Sequence, residues 1–211
     1  MEALSLPLLP LIAFAVATSV TPGPNNVMIA TSAANHGVRA TMPHMLGVTF
    51  GFAAMLVIVG FGLATPLATH PEILTALHWV GAVWLLWLAV QIARAAPPAM
   101  ETTEEGAIPA RRKPPLGFFG GAAFQWVNPK AWLLALAVAT AWLSPHAALL
   151  PQLGVIAAVF ILVCLPTTLF WAGLGRGAGR LLRHPTRLRL FNWTMAALLV
   201  ASLIPILWGG A

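Results

Sequence analysis

The chain has 211 residues, of which 59% are hydrophobic and 8% are charged. Soluble domains are typically about 25% charged and about 45–50% apolar, so a water-soluble fold of this size could not bury so many apolar side chains. The formal net charge of +6 would favour nucleic acid as a partner of a soluble protein. In a membrane protein the position of each charge matters more than their sum, and we expect no nucleic-acid partner.

Six apolar stretches follow one another along the chain, at about residues 4–31, 40–68, 72–95, 116–143, 148–174 and 189–208. Each is close to or longer than the roughly 20 residues that cross the hydrocarbon core of a bilayer. They leave no room for a separate soluble domain. The sequence therefore predicts an all-α integral membrane protein with six transmembrane helices in a single domain over residues 1–211. Its halves, 1–95 and 116–211, are joined by the polar loop 96–115.

The first apolar stretch is interrupted by the segment Thr21-Pro22-Gly23-Pro24-Asn25-Asn26. Proline removes a backbone donor and clashes with the preceding turn, and glycine adds flexibility, so the helix is predicted to open over this segment. An opened backbone at membrane depth is tolerated only where it is buried in protein or lines a cavity. This break is therefore predicted to face the protein interior, although an ordinary proline kink is the alternative.

A second, milder break, Asn128-Pro129-Lys130, lies in the fourth apolar stretch and places a cation among uncharged residues. The alternative here is a kink with a lysine that snorkels to the interface. Each half thus begins with a broken helix, and three spans per half make the second half run in the opposite sense. The pattern predicts an inverted 3+3 repeat in which broken helices 1 and 4 meet near the midplane and form the substrate site.

The basic residues, apart from Lys130, lie in or beside alternate loops of the predicted topology. By the positive-inside rule, loops one, three and five then lie in the cytoplasm, where they contact anionic lipid headgroups, and both termini lie outside. The residues concerned are Arg39 in loop one, Arg94, Arg111, Arg112 and Lys113 around loop three, and Arg176, Arg180, Arg183, Arg187 and Arg189 around loop five.

Several segments together resemble the lysine exporter (LysE) superfamily, and more narrowly its RhtB-type branch of small bacterial amino-acid exporters. These are TPGPNN at 21–26, NHGVR at 35–39, PHMLG at 43–47 with Gly51, WVGAVWLLWLA at 79–89 and FQWVNPKA at 124–131. The resemblance covers essentially the whole chain. It implies a multi-pass homodimer in the bacterial cytoplasmic (inner) membrane that exports amino acids or close derivatives by proton antiport and alternating access, without a cofactor.

The breaks match the chemistry of an amino-acid zwitterion. Where the helix restarts after Asn26, free amide groups and the positive end of the helix dipole can hold a carboxylate. Asparagine side chains donate and accept, and freed carbonyls can accept from an ammonium group. Lys130 can attract the carboxylate, or it can be the group that gains and loses a proton. The predicted substrate-binding residues are Pro22, Gly23, Pro24, Asn25, Asn26, Asn128, Pro129 and Lys130.

All five acidic residues lie in the ends or loops of the predicted topology. No carboxylate is available at depth as a proton carrier, so Lys130 and the histidines are the candidates for proton coupling. Among the histidines His44 is favoured, and His78 is the next candidate. No acid is available at depth to pair with a cationic substrate side chain either, so neutral or small amino acids are expected. Gly47 and Gly51 form a small-xxx-small pair that predicts close helix packing.

Other functions are less consistent with the sequence. A membrane enzyme would need a motif such as HExxH, a repeated acidic motif or a cysteine pair, and the chain has a single cysteine, Cys164. Export of a metal ion would need clustered ligands, whereas the six histidines are scattered. Export of another small solute stays open. A structural role would leave the two breaks without a purpose. We therefore expect a transporter, not an enzyme, with no resident metal.

Overall fold

The computed structural model describes residues 6–63, 70–94, 115–144, 146–181 and 185–201. The predicted loop over 96–115, except for Pro115, and both chain termini lie outside these ranges. Every regular element in the described ranges is helical, which confirms the all-α class. The elements are α1 (Leu8–Val20), α2 (Pro24–His36), α3 (Val38–Ile58) with a π-turn (Val59–Leu63), α4 (Pro71–Ala93), α5 (Phe118–Phe124) with a 3-10 turn (Gln125–Val127), α6 (Pro129–Trp142), α7 (Leu149–Leu181) and α8 (Pro185–Ala201).

Two helical segments of the described chain, Val38–Gly62 and Leu149–Ala178, are long and apolar enough to cross a membrane. Helices α1 and α2 are bent by 52° at a short break. Counted together, they form a third candidate span. Shorter apolar helical segments occur at Trp79–Ala93 and Arg189–Ala201. Many large apolar side chains are exposed, among them Leu9, Phe119 and Leu162.

Both predicted breaks are present, and the first is shorter than predicted. Helix α1 ends at Val20 and α2 already begins at Pro24, so Asn25 and Asn26 lie in the first helical turn and not in the opened segment. Proline is well placed at the first helical position, because an N–H there has no partner within the helix and the φ angle that the proline ring fixes is already helical. The second break places Asn128 in an extended conformation just before α6.

Small residues allow three helix contacts in which backbones approach closely. A Cβ added at Gly47 would collide with the carbonyl oxygen of Phe118, and one at Gly51 would lie 2.5 Å from the Cα of Ala122, so α5 lies directly on α3. A Cβ at Gly175 would collide with the carbonyl oxygen of Ala30, which places α7 against α2. Such contacts between small residues are a common means of helix association in membranes.

The buried apolar side chains form two clusters. The first gathers α2, the beginning of α3, α4 and α8, with Phe124 and Trp171 among its members. The second gathers α1, the end of α3, α6 and the first half of α7, with Met55 and Phe160 among its members. The helix breaks lie where these clusters meet, since Val48 belongs to the first cluster and Phe52, one turn later on α3, belongs to the second.

Candidate functional site

A cavity of about 60 Å³ lies between the two helix breaks. Five helices and the 3-10 turn contribute to its wall, and most of its polar residues lie at the breaks. The lining residues are Thr18, Ser19, Gly23, Pro24, Asn25, Asn26, Val48, Phe52, Gln125, Asn128, Lys130, Ala131, Leu134, Cys164, Thr167 and Thr168.

Six of the eight residues predicted to bind substrate line this cavity. The exceptions are the prolines Pro22 and Pro129. Pro22 is exposed. Pro129 is buried and faces α4, where a Cβ added at Gly81 would lie 2.7 Å from its Cγ. These two prolines help to shape the breaks without lining the cavity.

A reciprocal pair of amide side chains joins the two breaks. The Asn25 Nδ2 donates to Gln125 Oε1 at 2.9 Å, and the Gln125 Nε2 donates to Asn25 Oδ1 at 3.2 Å. Gln125 also donates to the carbonyl oxygen of Gly121 at 2.9 Å and is fully buried. This glutamine was not among the predicted site residues, and its signal in the sequence was a polar side chain just before the second break.

Asn26 holds the end of α1. Its Nδ2 donates to the carbonyl oxygens of Ser19 at 2.7 Å and Thr21 at 2.9 Å. These carbonyls lack a partner in their own helix because the last four carbonyls of any helix do. The side chain of Asn26 therefore satisfies carbonyls that the break has freed, and it fixes the angle between α1 and α2.

The two helices that begin at the breaks differ at their N-termini. At α6 the side chain of Asn128 caps the helix by accepting from the amide of Lys130 at 3.1 Å, and its carbonyl accepts from the amide of Ala131 at 3.0 Å. At α2 the cap residue is Gly23, which has no side chain that could accept a hydrogen bond from the first amides of the helix. Within the described chain, the amides of Asn25 and Asn26 have no acceptor. The cavity thus contains one capped and one open helix N-terminus.

Lys130 reaches from the second break to the first. Its Nζ donates to the Thr21 hydroxyl at 2.8 Å and to the Thr21 carbonyl oxygen at 3.3 Å. A Cβ added at Gly23 would lie 3.1 Å from that Nζ, so the absence of a side chain at Gly23 leaves room for the lysine. The ammonium lies at the C-terminal end of α1, where the helix dipole favours a cation.

Helix α7 supplies the opposite wall, which the sequence analysis did not identify. Thr167 and Thr168 donate their hydroxyl hydrogens to carbonyls one turn back on α7, at 2.8 and 2.9 Å, which leaves their oxygens able to accept. The Cys164 Sγ lies 3.6 Å from the Ser19 Oγ. A pair of threonines directly after Pro166, inside an otherwise apolar stretch, was the available signal.

The charge in the cavity is simple. Its lining contains one cation, Lys130, and no acidic side chain. The described part of the chain contains no group of three or more histidine, cysteine or acidic residues that could hold a metal ion. The cavity therefore offers one positive charge, an open helix N-terminus, amide groups and hydroxyl oxygens.

His44 lies outside the cavity lining, one helical turn before Val48. Its side chain is 1% exposed, and neither ring nitrogen has a hydrogen-bond partner among the described residues. A Cβ added at Gly121 would lie 2.9 Å from its Cδ2, so the imidazole packs against α5.

Comparison with known proteins gives a consistent picture. A family model described as "LysE type translocator" matches residues 16–204. The chain is 30% identical over 196 residues to a cysteine/O-acetylserine efflux protein of Salmonella typhimurium, covering 92% of this chain and 94% of the relative. It is 28% identical over 200 residues to the protein of the same name in Escherichia coli K12, with the same coverage. No solved structure matches the chain.

The family match spans both helix breaks and every residue that lines the cavity, and the chain belongs to the LysE type translocator family.

Proposed function

We propose that this protein exports small neutral amino acids or their close derivatives from the cytoplasm. The observation that carries the proposal is the cavity between the breaks, which combines one cation with an uncapped helix N-terminus and lacks an acid. The relatives are named as efflux proteins for cysteine and O-acetylserine, and both compounds belong to the proposed class. This is a transport function, not an enzymatic one.

The substrate carboxylate would bind at the first turn of α2. The free amides of Asn25 and Asn26 and the positive end of the helix dipole favour an anion there. Lys130 lies beside Gly23 at the same helix end and would add a charge-assisted hydrogen bond. To reach a carboxylate, the lysine would have to exchange part of its contact with Thr21 for the ligand.

The substrate ammonium would bind at the wall that carries oxygen atoms. Thr167 and Thr168 on α7 use their hydrogens within the helix, so their oxygens can accept from a cation. No acid is present to make this contact a salt bridge. A second positive charge on the substrate side chain would find no partner, and this favours neutral amino acids over lysine and arginine.

The size of the cavity favours a small substrate. A volume of about 60 Å³ corresponds to roughly four to six water molecules, at about 10–15 Å³ of probe-occupied space for each. The apolar part of the wall, formed by Phe52, Leu134 and Val48, would surround the substrate side chain. A larger amino acid would require the helices to separate.

The proposed architecture is six spans in two inverted halves, residues 1–95 and 116–211, within a single domain in the bacterial inner membrane. The order of helices supports it, because broken helices α1–α2 and α5–α6 each precede one long and one shorter apolar helix. The basic loops would lie in the cytoplasm and both termini outside. Alternating access would then open the cavity first to one side and then to the other.

Export would be driven by proton antiport. Lys130 is the charged group in the cavity lining, and His44 is a buried titratable group one turn away, so these two residues are the proposed proton-coupling groups.

Lipid would cover the exposed apolar faces, and a second copy of the chain would complete a homodimer. Export of another small solute or of a metal ion is the alternative, and the absence of a ligand cluster in the described ranges gives the metal no support.

Efflux from proteoliposomes tests the proposal. Proteoliposomes that contain the wild-type protein are loaded with labelled cysteine, O-acetylserine, alanine, leucine or lysine. They should release the small neutral compounds fastest, and an imposed proton gradient should accelerate release. Asn26→Ala and Lys130→Ala should each reduce this release by at least about tenfold. Arg94→Gln, which removes an exposed cation that does not line the cavity, should not. The proposal fails if folded wild-type protein releases none of these compounds, or if lysine is the only compound released.

A further inference from the structure

A layer of buried polar atoms without partners lies next to the cavity. The Thr31 hydroxyl, both ring nitrogens of His44 and the Trp171 Nε1 have no hydrogen-bond partner among the described residues. These side chains are 8%, 1% and 9% exposed, respectively. Nearly all buried polar groups in native proteins are hydrogen-bonded, so three exceptions close to one cavity require an explanation. Thr49, a fourth exception, follows the cavity residue Val48.

The three residues lie on the same side of the cavity. On α3, His44 is one turn before the lining residue Val48, and on α7, Trp171 is one turn after Thr167. On α2, Thr31 follows the lining residue Asn26 by just over one turn.

Contacts between the helices show on which side of the cavity the layer lies. The Ser32 Oγ lies 2.9 Å from the Thr41 Oγ1, so α2 and α3 run antiparallel from the Gly37 turn. Gly175 contacts Ala30, which brings the end of α7 to the same level. The layer therefore lies between the cavity and the Gly37 turn. That turn precedes Arg39, which the positive-inside rule places in the cytoplasm.

The passage through this layer is closed in the structure. Gly121 packs on His44, and α5 lies against Gly47 and Gly51 without an intervening side chain. At the cavity end, the reciprocal Asn25–Gln125 amide pair joins α2 to the 3-10 turn after α5. Polar side chains in membrane helices usually face the bundle interior or a water-filled path. The polar atoms of the layer would gain partners if water entered between these helices.

We infer that the layer Thr31–His44–Trp171 lines the cytoplasmic entry path to the cavity, and that the Asn25–Gln125 pair is the gate of this path. The inference rests on the proposed function for its direction of transport, but the gate itself is a property of the helices. Gln125 is a positioning residue in this scheme, because it holds α2 against the second break. Opening requires both hydrogen bonds between the two side-chain amides to break, since each connects one side of the path to the other.

Thiol accessibility tests the gate without any transport measurement. In a Cys164→Ser background, Thr31→Cys introduces a thiol in place of the hydroxyl in the path. A membrane-impermeant sulfonated methanethiosulfonate is applied to inside-out vesicles, and the rate of modification is measured. Arg39→Cys shows whether the reagent reaches the face of the membrane on which position 39 lies. Met55→Cys, a fully buried position on the other side of the cavity, reports non-specific opening.

Gln125→Met and Asn25→Ala each remove both hydrogen bonds of the pair and should accelerate modification at position 31 by about 5- to 30-fold, the range expected from one or two hydrogen bonds of ordinary net strength. The double variant should react no faster than the faster single variant, because both act on one contact. The rates at positions 39 and 55 should not change. Two gate variants of different size keep the test valid if one of them fails to fold, as judged by size-exclusion chromatography in detergent.

The inference is overturned if the gate variants leave the rate at position 31 unchanged, if they accelerate position 55 equally, or if position 39 reacts only from the opposite face. Efflux is measured separately. A gate that responds as expected in a protein that exports no amino acid would refute the proposed substrate and retain the entry path.

Discussion

The ammonium of Lys130 lies 2.8 Å from the hydroxyl oxygen of Thr21, so a side chain of the second helix break contacts the first break directly. The pair is separated by 109 positions in the chain. The same lysine lies against Gly23, and it is therefore positioned both to hold the end of α1 and to meet a ligand at the start of α2.

Lys130→Met should reduce efflux of cysteine or O-acetylserine by about 10- to 100-fold, the range expected from losing a hydrogen bond to a charged group. Lys130→Arg retains the charge in a different shape and should retain part of the activity. Initial rates across a range of internal substrate concentrations give KM and kcat for each variant. Equal rates for Lys130→Met and the wild type would remove the lysine from the site.

Replacement of Leu134 should change substrate size selectivity. Leu134 lines the cavity, whereas its neighbour Leu133 is exposed on the outer face of α6. Leu134→Ala should increase the leucine-to-cysteine efflux ratio, because removing the isobutyl group enlarges the apolar part of the wall. The same ratio measured for Leu133→Ala is the matched control. If both variants shift the ratio equally, the effect is not due to the cavity.

Substrate should protect Cys164 from alkylation. The thiol lines the cavity beside Ser19, so a bound amino acid would block the approach of a small maleimide. O-acetylserine is the suitable ligand because it carries no thiol to compete for the reagent. The alkylation rate of detergent-solubilised wild-type protein is expected to fall as O-acetylserine is added, and lysine should have little effect. Protection by lysine alone would contradict the proposed selectivity.

Two glycines of α7 provide a paired test of helix packing. Gly175→Ala places a methyl group on the Ala30 carbonyl, whereas a Cβ at Gly173 has no neighbour within 4 Å. The first substitution should lower stability by about 1–3 kcal/mol, as overpacking of a tight contact does. Gly173→Ala should be neutral or slightly stabilising, since it replaces glycine within a helix. Thermal unfolding in detergent distinguishes them, and equal melting temperatures would contradict the contact.

The cap of α6 can be tested independently of transport. Asn128→Ala removes the side chain that accepts from the Lys130 amide and should lower stability by about 1 kcal/mol. Asn128→Asp keeps an accepting oxygen and should retain most of the stability. The melting temperatures of the two variants in detergent give the difference. If Asn128→Asp is as destabilised as Asn128→Ala, the cap is not the main role of this residue.

Local chemistry made much of this protein predictable from its sequence. The apolar stretches predict the helices because hydrophobicity acts residue by residue, and the prolines at 22, 24 and 129 predict the breaks because they act on the adjacent turn. Local rules also erred by a few residues at the first break. There, Pro24 begins the helix instead of extending the opening, since proline suits a first helical position as well as it disrupts a helix interior.

The sequence by itself thus determined that this is an apolar, all-helical protein with two broken helices, and it predicted that no acid lies at depth. The tertiary structure decided which side chains meet. The pairing of Asn25 with Gln125, the reach of Lys130 to Thr21 and the wall formed by Thr167 and Thr168 join residues about 100 or more positions apart in the chain. Such contacts depend on how helices pack across the whole domain, and periodicity or composition within one segment cannot specify them.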